Sequence, residues 1–452
     1  MENFKEKLKK LNGEQVPRET IINIMLYMTV LIMPFILIPI TFNRYALGKL
    51  MFLYVVGIFL TINLIRNGKF KIRKEHIIVT IFILTIFIVC VLSPYKKIAF
   101  IGNGMRDEGF FTILIYVILF FASSVYLKIT KKSVDIILLF GSIHAVYGIL
   151  EFFHFDPIQK LILEGIVADD SIGFIGNKMN FSAYIILFLT ISTCMYIFEG
   201  KKRYFISTII LFTCLLCTLT RSGWLAFGVT LIIGLLFILK RKECLKRALI
   251  LTICFILSLV ILNTASSGRV IGRINTTVGE VNGLKEEKED IQEDTKNDEE
   301  DTQNDEKSNV IVNESLYSRK EILKLHWKAF LDKPLLGTGP DTFNNRLMDD
   351  YPAEFVLKLL TTGEGADKAH NEYLEYASSC GIFTAASYII LLIFIIKGLL
   401  KRRKENDKYE IILLTVIAYM IQAFFNISVT AVSPLFWILL GYAVQITYEK
   451  NV

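Results

Sequence analysis

A histidine and an arginine that could perform chemistry lie in one polar segment between two long apolar runs. The segment extends from Ser315 to Gly381 and contains Arg319 near its beginning and His370 near its end. Histidine has an unperturbed pKa of about 6.5, so His370 is suited to accept a proton from a hydroxyl group at ambient pH. The guanidinium of Arg319 is suited to bind a phosphate group through two parallel hydrogen bonds. The alternatives are a capping or surface histidine and a surface arginine.

Arg221 is a third candidate because it lies at the end of an apolar run. It follows Leu-Cys-Thr-Leu-Thr and begins the sequence Arg-Ser-Gly-Trp. A charged side chain close to a bilayer is costly and usually faces a cavity or a partner, so we expect a functional role for Arg221. The alternative is an interfacial anchor beside Trp224 in an aromatic belt.

The polar segment itself predicts an amphipathic helix followed by a tight turn. Apolar residues approximate helical spacing over Leu316–Leu331, with Ser315 or Ser318 as the N-cap, so that Arg319 begins the helix. The helix should end before Pro334, because the residue preceding a proline disfavours the α region. The following sequence Gly-Thr-Gly-Pro at 337–340 predicts a tight turn, and it lacks the GxxxxGKS/T pattern of a nucleotide-binding loop.

Long apolar runs make up most of the rest of the chain. The chain has 452 residues, 53% of them apolar, and a mean hydropathy of +0.49. A bilayer core requires about 20 apolar residues per helix. Runs that meet or approach this length lie at 21–42, 45–65, 76–93, 110–127, 133–153, 181–198, 204–220, 223–239, 248–263, 382–399, 410–427 and 432–448. The sequence predicts an all-α polytopic membrane protein with about twelve transmembrane helices and one large extracytoplasmic loop between the ninth and tenth.

Lysine and arginine residues are distributed unevenly among the connections. One set of alternate connections, together with the terminal segments, holds 28 of them, and the other set of short connections holds 8. This asymmetry follows the positive-inside rule and places both termini in the cytoplasm. We therefore attribute the net charge of +7 to the lysines and arginines of the cytoplasmic connections, and a nucleic-acid partner is not expected.

Four parts follow from this topology. Residues 1–20 form a charged cytoplasmic segment, and the run after them is too long for a cleavable signal peptide. Residues 21–263 form a first bundle of about nine helices, 264–381 form the outer loop, and 382–448 form about three final helices.

Residues 280–309 form an acidic insert within the outer loop. Between residues 284 and 307 the chain has 12 acidic residues, 4 lysines and no aromatic residue. Such a stretch cannot bury enough apolar surface to offset its chain entropy, so we expect a disordered spacer. Calcium binding is the alternative, although the glycine turn and terminal glutamate of an EF-hand loop are missing.

The motifs, taken in order, resemble the O-antigen ligase and polymerase family (Wzy/WaaL-like membrane glycan transferases). The resemblance covers most of the chain. The matching segments are Arg106–Gly109, Gly148–Phe153, Gly176–Asn180, Thr220–Trp224, Ser318-Arg319, His326–Phe330, Pro334–Pro340, Phe343, His370–Glu375 and Gly381. The acidic insert between Arg273 and Arg319 departs from the family pattern.

This resemblance implies a GT-C-type glycosyltransferase of a bacterial cytoplasmic membrane that inverts the anomeric centre and needs no metal, nucleotide or other cofactor. The donor would be an undecaprenyl-diphosphate-linked glycan, and the acceptor a glycan, a lipid or a protein. His370 would activate the acceptor hydroxyl as general base, while Arg221 and Arg319 would bind the diphosphate. The candidates for further substrate contacts are Arg106, Asn177, Arg269, Arg273 and Asn371.

Three functions therefore remain open at this stage. The first is polymerisation or ligation of a surface polysaccharide, and the second is glycosylation of a surface protein. The third is transport of a glycolipid, which would predict ionisable residues in mid-membrane and two related halves with broken helices. The clustering of charge at the outer surface favours transfer over transport.

Overall fold

The computed structural model describes residues 17–39, 43–67, 71–104, 106–156, 158, 171–276, 307–351 and 367–449. Within these ranges the chain is α-helical, with short 3-10 turns and loops and no β-strand. The predicted all-α class is therefore confirmed for the described part of the chain.

Each of the twelve predicted apolar runs overlaps a described helix, although the helix in the run predicted at 21–42 already ends at Leu31. In chain order the helices are α1 (Arg18–Leu31), α2 (Leu47–Asn67), α3 (Lys74–Leu92), α4 (Lys96–Ile101), α5 (Phe110–Tyr126), α6 (Lys131–Phe152), α7 (Lys178–Glu199), α8 (Lys202–Cys217), α9 (Arg221–Ile238), α10 (Lys242–Ala265), α11 (Lys307–Asp332), α12 (Phe343–Asp350), α13 (Glu372–Arg402), α14 (Asp407–Ala423) and α15 (Ser433–Tyr448). Residues 269–276 are also helical. The runs correspond to all of the named helices except α4, α11 and α12.

Eight of the described helices are long and apolar enough to cross a membrane by length and composition. They are α1 with the 3-10 turn after it, α2, α3, α6, α7, α9, α10 and α13. The helices α5, α8, α14 and α15 have 16 or 17 residues, slightly less than the roughly 20 residues that span a bilayer core. The chain is thus a multi-spanning membrane protein, whereas the number twelve and the position of the outer loop stay predictions.

Helix α7 lies at the centre of the bundle. Every residue from Asn180 to Thr190 is buried, as expected for a helix surrounded by others. It packs against α8 and α14, while α13 packs against α3 and α14. Helix α10, in contrast, exposes apolar side chains such as Ile253, Ile256 and Val260, which suits a face directed toward lipid.

Helix α11 begins earlier than the sequence predicted. It extends from Lys307 to Asp332, so Arg319 lies in the middle of the helix rather than at its start. No glycine or proline interrupts residues 307–318, and nothing in the sequence therefore stops the helix from extending toward the N-terminus. The predicted disorder of the acidic insert lies outside the described residues, except at 307–309, which are helical. The helix ends before Pro334, as predicted.

A kink in α13 provides the docking site for the glycine-rich turn. Gly381 has φ 79° and ψ 177°, which interrupts the helix. The carbonyl of Ser379 then accepts hydrogen bonds from the N–H groups of Thr338 and Gly339, at 3.0 and 2.7 Å. The N–H of Ile382 donates to the carbonyl of Pro334 at 2.8 Å. The predicted tight turn is thereby fixed against the beginning of α13.

Candidate active site

Helices α7 and α9 begin side by side. The hydroxyl of Thr220, the N-cap of α9, donates to the carbonyl of Lys178 at 3.3 Å. The side-chain amide of Asn426, just after α14, donates to the carbonyl of Met179 at 3.2 Å. The first turns of α7 and α9 therefore lie beside the end of α14, and Arg221 is the first residue of α9.

Helix α13 begins at the same end of α14. The hydroxyl of Tyr373 donates to the carbonyl of Met420 at 2.9 Å, and Tyr373 belongs to the first turn of α13. The N-termini of α7, α9 and α13 thus lie around the C-terminal end of α14. Because helix N-termini carry partial positive charge, this end of the bundle favours an anionic ligand.

Asn177 and Asn371 are the N-caps of α7 and α13. The side-chain oxygen of Asn177 accepts hydrogen bonds from the N–H groups of Met179 and Asn180 at 2.9 and 3.3 Å. The oxygen of Asn371 accepts from Tyr373 and Leu374, each at 3.0 Å. Helix capping uses one polar atom of each side chain, and their predicted contacts with substrate stay predictions.

The connection before α7 is held by two buried side chains of α6. One carboxylate oxygen of Glu151 accepts hydrogen bonds from the N–H groups of Ile172 and Gly173 at 3.1 and 2.6 Å. The Nε2 atom of His144 accepts a hydrogen bond from the N–H of Phe174 at 2.9 Å. These contacts fix the position of the α7 N-cap.

His370 directly precedes the N-cap of α13. It is partly buried and adopts a left-handed conformation with φ 48°, which is uncommon for a residue other than glycine. Its neighbour Ala369 donates a backbone hydrogen bond to Glu375 at 2.8 Å. The backbone on both sides of His370 is therefore anchored to α13.

A buried cluster of charged residues lies next to His370. The ammonium nitrogen of Lys368 is 3.0 Å from Asp341 Oδ1, 3.6 Å from Glu375 Oε1 and 4.0 Å from Glu108 Oε2. All four residues are buried. We refer to Lys368, Asp341, Glu375 and Glu108 as the Lys368 cluster. Its members come from the α4–α5 connection, the residue after the glycine-rich turn, the His370 segment and α13.

The charges in the cluster stabilise one another. Burial alone would lower the pKa of Lys368, but Asp341, Glu375 and Glu108 raise that pKa above its ordinary value. Burial would likewise raise the pKa of Asp341, yet Lys368 holds it below the usual range. The pKa of Glu108 is raised because its burial outweighs the effect of Lys368. Lys368 and Asp341 are therefore an ionised pair at neutral pH.

Arg106 joins this region through a second ion pair. Its Nε atom lies 2.8 Å from Oδ2 of Asp367, and the Arg106 side chain is 30% exposed. The remaining oxygen of Asp341, Oδ2, accepts hydrogen bonds from the N–H groups of Asn103 and Glu108 at 3.0 and 3.2 Å. The connection between α4 and α5 is thus tied to the glycine-rich turn and to the His370 segment.

The other predicted arginines lie near the start of α9 or in α11. Arg273 donates from Nε to the carbonyl of Leu219 at 3.4 Å, two residues before Arg221. Arg269 donates to the carbonyl of Phe152 at 3.0 Å, and its guanidinium lies 4.3 Å from the centre of that ring. The backbone of Arg319 belongs to α11, and its side chain lies outside the described part of the structure.

Most of the candidates therefore form two groups near the end of α14. His370, Asn371 and Arg106 lie around the Lys368 cluster, whereas Arg221, Arg273 and Asn177 lie around the first turns of α7 and α9.

Sequence reasoning missed the Lys368 cluster itself. Glu108 and Glu375 occur in motifs that carried the family resemblance, and Lys368 stands two residues before His370. The position of these charges beside apolar runs was a signal that could have predicted the cluster, because ionisable residues at a membrane boundary are costly unless they are paired. Their partners, however, come from distant parts of the chain.

Comparison with known proteins gives one finding about this region. Residues 206–389 match the family model described as O-antigen ligase, a stretch that begins in α8, ends in α13 and contains both Arg221 and His370. No curated protein matches the chain at significant similarity. The family match agrees with the resemblance drawn from the motifs. Residues 206–389 are therefore similar to an O-antigen ligase domain, within a chain whose long apolar helices are those of a multi-spanning membrane protein.

Proposed function

We propose that the protein transfers a glycan from undecaprenyl diphosphate to an acceptor hydroxyl at the outer face of the bacterial cytoplasmic membrane. The observation that carries this proposal is the O-antigen ligase match over residues 206–389, which includes both Arg221 and His370. In this proposal, residues 264–381 contain the outer catalytic loop, about nine helices precede it, and about three follow it at 382–448. Both chain termini lie in the cytoplasm.

His370 acts as the general base in the proposed reaction. It removes the proton from the acceptor hydroxyl while that oxygen attacks the anomeric carbon of the donor. The bond between the anomeric carbon and the diphosphate oxygen breaks, and undecaprenyl diphosphate leaves with the electron pair. Because attack and departure occur on opposite faces of the sugar, the anomeric configuration inverts.

Arg221 and Arg319 stabilise the departing diphosphate. Fixed cations are most effective where negative charge develops in a site of low dielectric constant. The clustered N-termini of α7, α9 and α13 add favourable partial charge, and Arg273 beside Leu219 adds a further cation near Arg221. Arg106, Asn177, Arg269 and Asn371 are proposed as further substrate contacts.

The acceptor that we place first is a second glycan, which makes the protein a polymerase or ligase of a surface polysaccharide. A protein hydroxyl is the alternative acceptor. The proposed base and arginines serve both reactions equally, because the acceptor is selected by the surface around the base.

The test is a reconstituted transfer assay. Purified wild-type protein and His370→Ala in nanodiscs would receive an undecaprenyl-diphosphate-linked oligosaccharide, alone or with a protein acceptor. A His370-dependent ladder of lengths would establish a polymerase, and a single His370-dependent addition to an added glycan, lipid or protein would identify a ligase. Donor binding without turnover in the wild type would contradict the proposal and favour a transporter.

A further inference from the structure

We infer that Lys368 is a positioning residue for His370. The ammonium group of Lys368 joins the segment 367–371 to three carboxylates and thereby fixes the base at the start of α13. This inference rests on the proposed function of His370. It adds a residue to the site that neither the sequence motifs nor the family match single out.

The surroundings of Lys368 exclude a role as a phosphate ligand. Its side chain is 5% exposed, and three carboxylates lie within 4.0 Å of its nitrogen. A diphosphate at this position would have to displace carboxylates that already neutralise the ammonium group. Lys368 therefore serves to hold its segment in place within the protein, whereas Arg221 is the first residue of α9.

The three carboxylates are themselves held in place. Glu108 Oε1 accepts hydrogen bonds from the hydroxyls of Tyr116 and Ser428, each at 2.8 Å. Glu375 Oε1 accepts from the hydroxyl of Ser379 at 3.0 Å. Asp341 is fixed by two backbone N–H groups. The three carboxylates that surround Lys368 are thus also held by other groups, and this distinguishes the cluster from a surface ion pair whose side chains are free to move.

The residues on both sides of His370 are restrained, and two of the four restraints, those of Lys368 and Ala369, involve the carboxylates of the Lys368 cluster. Asp367 is paired with Arg106, and the N–H of Ala369 donates to Glu375, a member of the cluster. Asn371 caps α13. His370 lies between these anchors in a left-handed conformation, which persists only where the surrounding structure imposes it. Loss of the Lys368 tie should release the segment and misplace the base.

The experiment compares two variants of the full-length protein in nanodiscs. Lys368→Met removes the ammonium group but keeps the length of the side chain. Lys368→Met/Asp341→Asn removes the charges of the closest pair together, so that no unpaired aspartate is left buried. Lys333→Met is the matched control, because Lys333 forms an exposed ion pair with Asp350 in the same loop.

Three quantities would be measured on each variant. They are backbone amide hydrogen exchange over 367–371, the kcat for glycan transfer, and the affinity for undecaprenyl diphosphate. We expect faster exchange and a kcat lower by about 10²-fold, the loss that accompanies a misplacement of about 1 Å. Affinity for undecaprenyl diphosphate should stay close to that of the wild type, and Lys333→Met should match the wild type throughout.

The result that would overturn the inference is wild-type exchange and kcat in a folded Lys368 variant. If Lys368→Met does not fold, the exchange and kcat of Lys368→Met/Asp341→Asn test the inference instead. Failure of the proposed function is distinguishable, because His370→Ala would then retain turnover. If His370→Ala is inactive while the folded Lys368 variants are fully active, only the inference about Lys368 is refuted.

Discussion

Replacement of Gly381 by alanine should detach the glycine-rich turn from α13. The backbone at Gly381 lies in a region of φ and ψ that is essentially restricted to glycine, and a residue forced into such a region costs about 1–3 kcal/mol. A β-carbon there would also overlap the carbonyl group of Leu335. Backbone atoms cannot rotate away as a side chain does, so the turn must move.

Movement of the turn would break the three backbone hydrogen bonds that join it to Ser379 and Ile382. Each contributes about 0.5–1.5 kcal/mol. Together with the backbone strain, the expected loss of stability is about 2.5–7.5 kcal/mol. Asp341 follows the turn directly, so the Lys368 cluster should lose its closest carboxylate and glycan transfer should fall as well.

Thermal unfolding in detergent and amide hydrogen exchange over 334–340 would measure this effect. The matched control is Gly228→Ala in α9, where an added β-carbon meets no atom within 4 Å. Alanine is favoured over glycine in a helix by about 1 kcal/mol, so the control should be as stable as the wild type or slightly more stable. The reasoning is refuted if both variants unfold at the same temperature and protect the turn equally.

Three further predictions concern Arg221, the acidic insert and His326. Arg221→Lys should lower the rate of glycan transfer by about 10²-fold, because an ammonium group lacks the planar fork of a guanidinium. The control is Arg203→Lys, at the opposite end of the bundle, which should leave the rate of transfer unchanged. Removal of residues 286–306 should preserve transfer if they are a spacer, and complete inactivity would contradict that role. His326→Ala should destabilise the protein by about 3 kcal/mol, because buried His326 is hydrogen-bonded at 2.9 Å to Ser378 and stacked at 3.6 Å on Phe343; an unchanged melting temperature would disprove that contribution.

The positions of the helices could be predicted well because they depend on local composition. The run predicted at 45–65 is the helix Leu47–Asn67, and the run at 76–93 is Lys74–Leu92. A long apolar run has to satisfy its backbone hydrogen bonds internally in a membrane, and the helix is the structure that does so within one segment. Pro334 likewise marked the end of α11 correctly.

The features that could not be predicted depend on contacts between distant residues. The kink at Gly381 is stabilised by a turn that precedes it by about forty residues, and a single glycine in an apolar run does not specify such a kink. Lys368 meets Glu108 only after the whole bundle has formed. The predicted start of α11 was wrong because a serine can cap a helix or lie within it, and sequence alone does not distinguish the two positions.

The most direct test of the proposed function is a single-turnover measurement on His370→Gln and the wild type. Release of undecaprenyl diphosphate would be followed after acceptor is added to protein already saturated with an undecaprenyl-diphosphate-linked oligosaccharide. Donor binding would be measured on the same preparations. We predict normal donor binding by His370→Gln and release slower by about 10²–10⁴-fold, the usual contribution of a general base. Release at the wild-type rate from His370→Gln would contradict the assignment of His370 as the base.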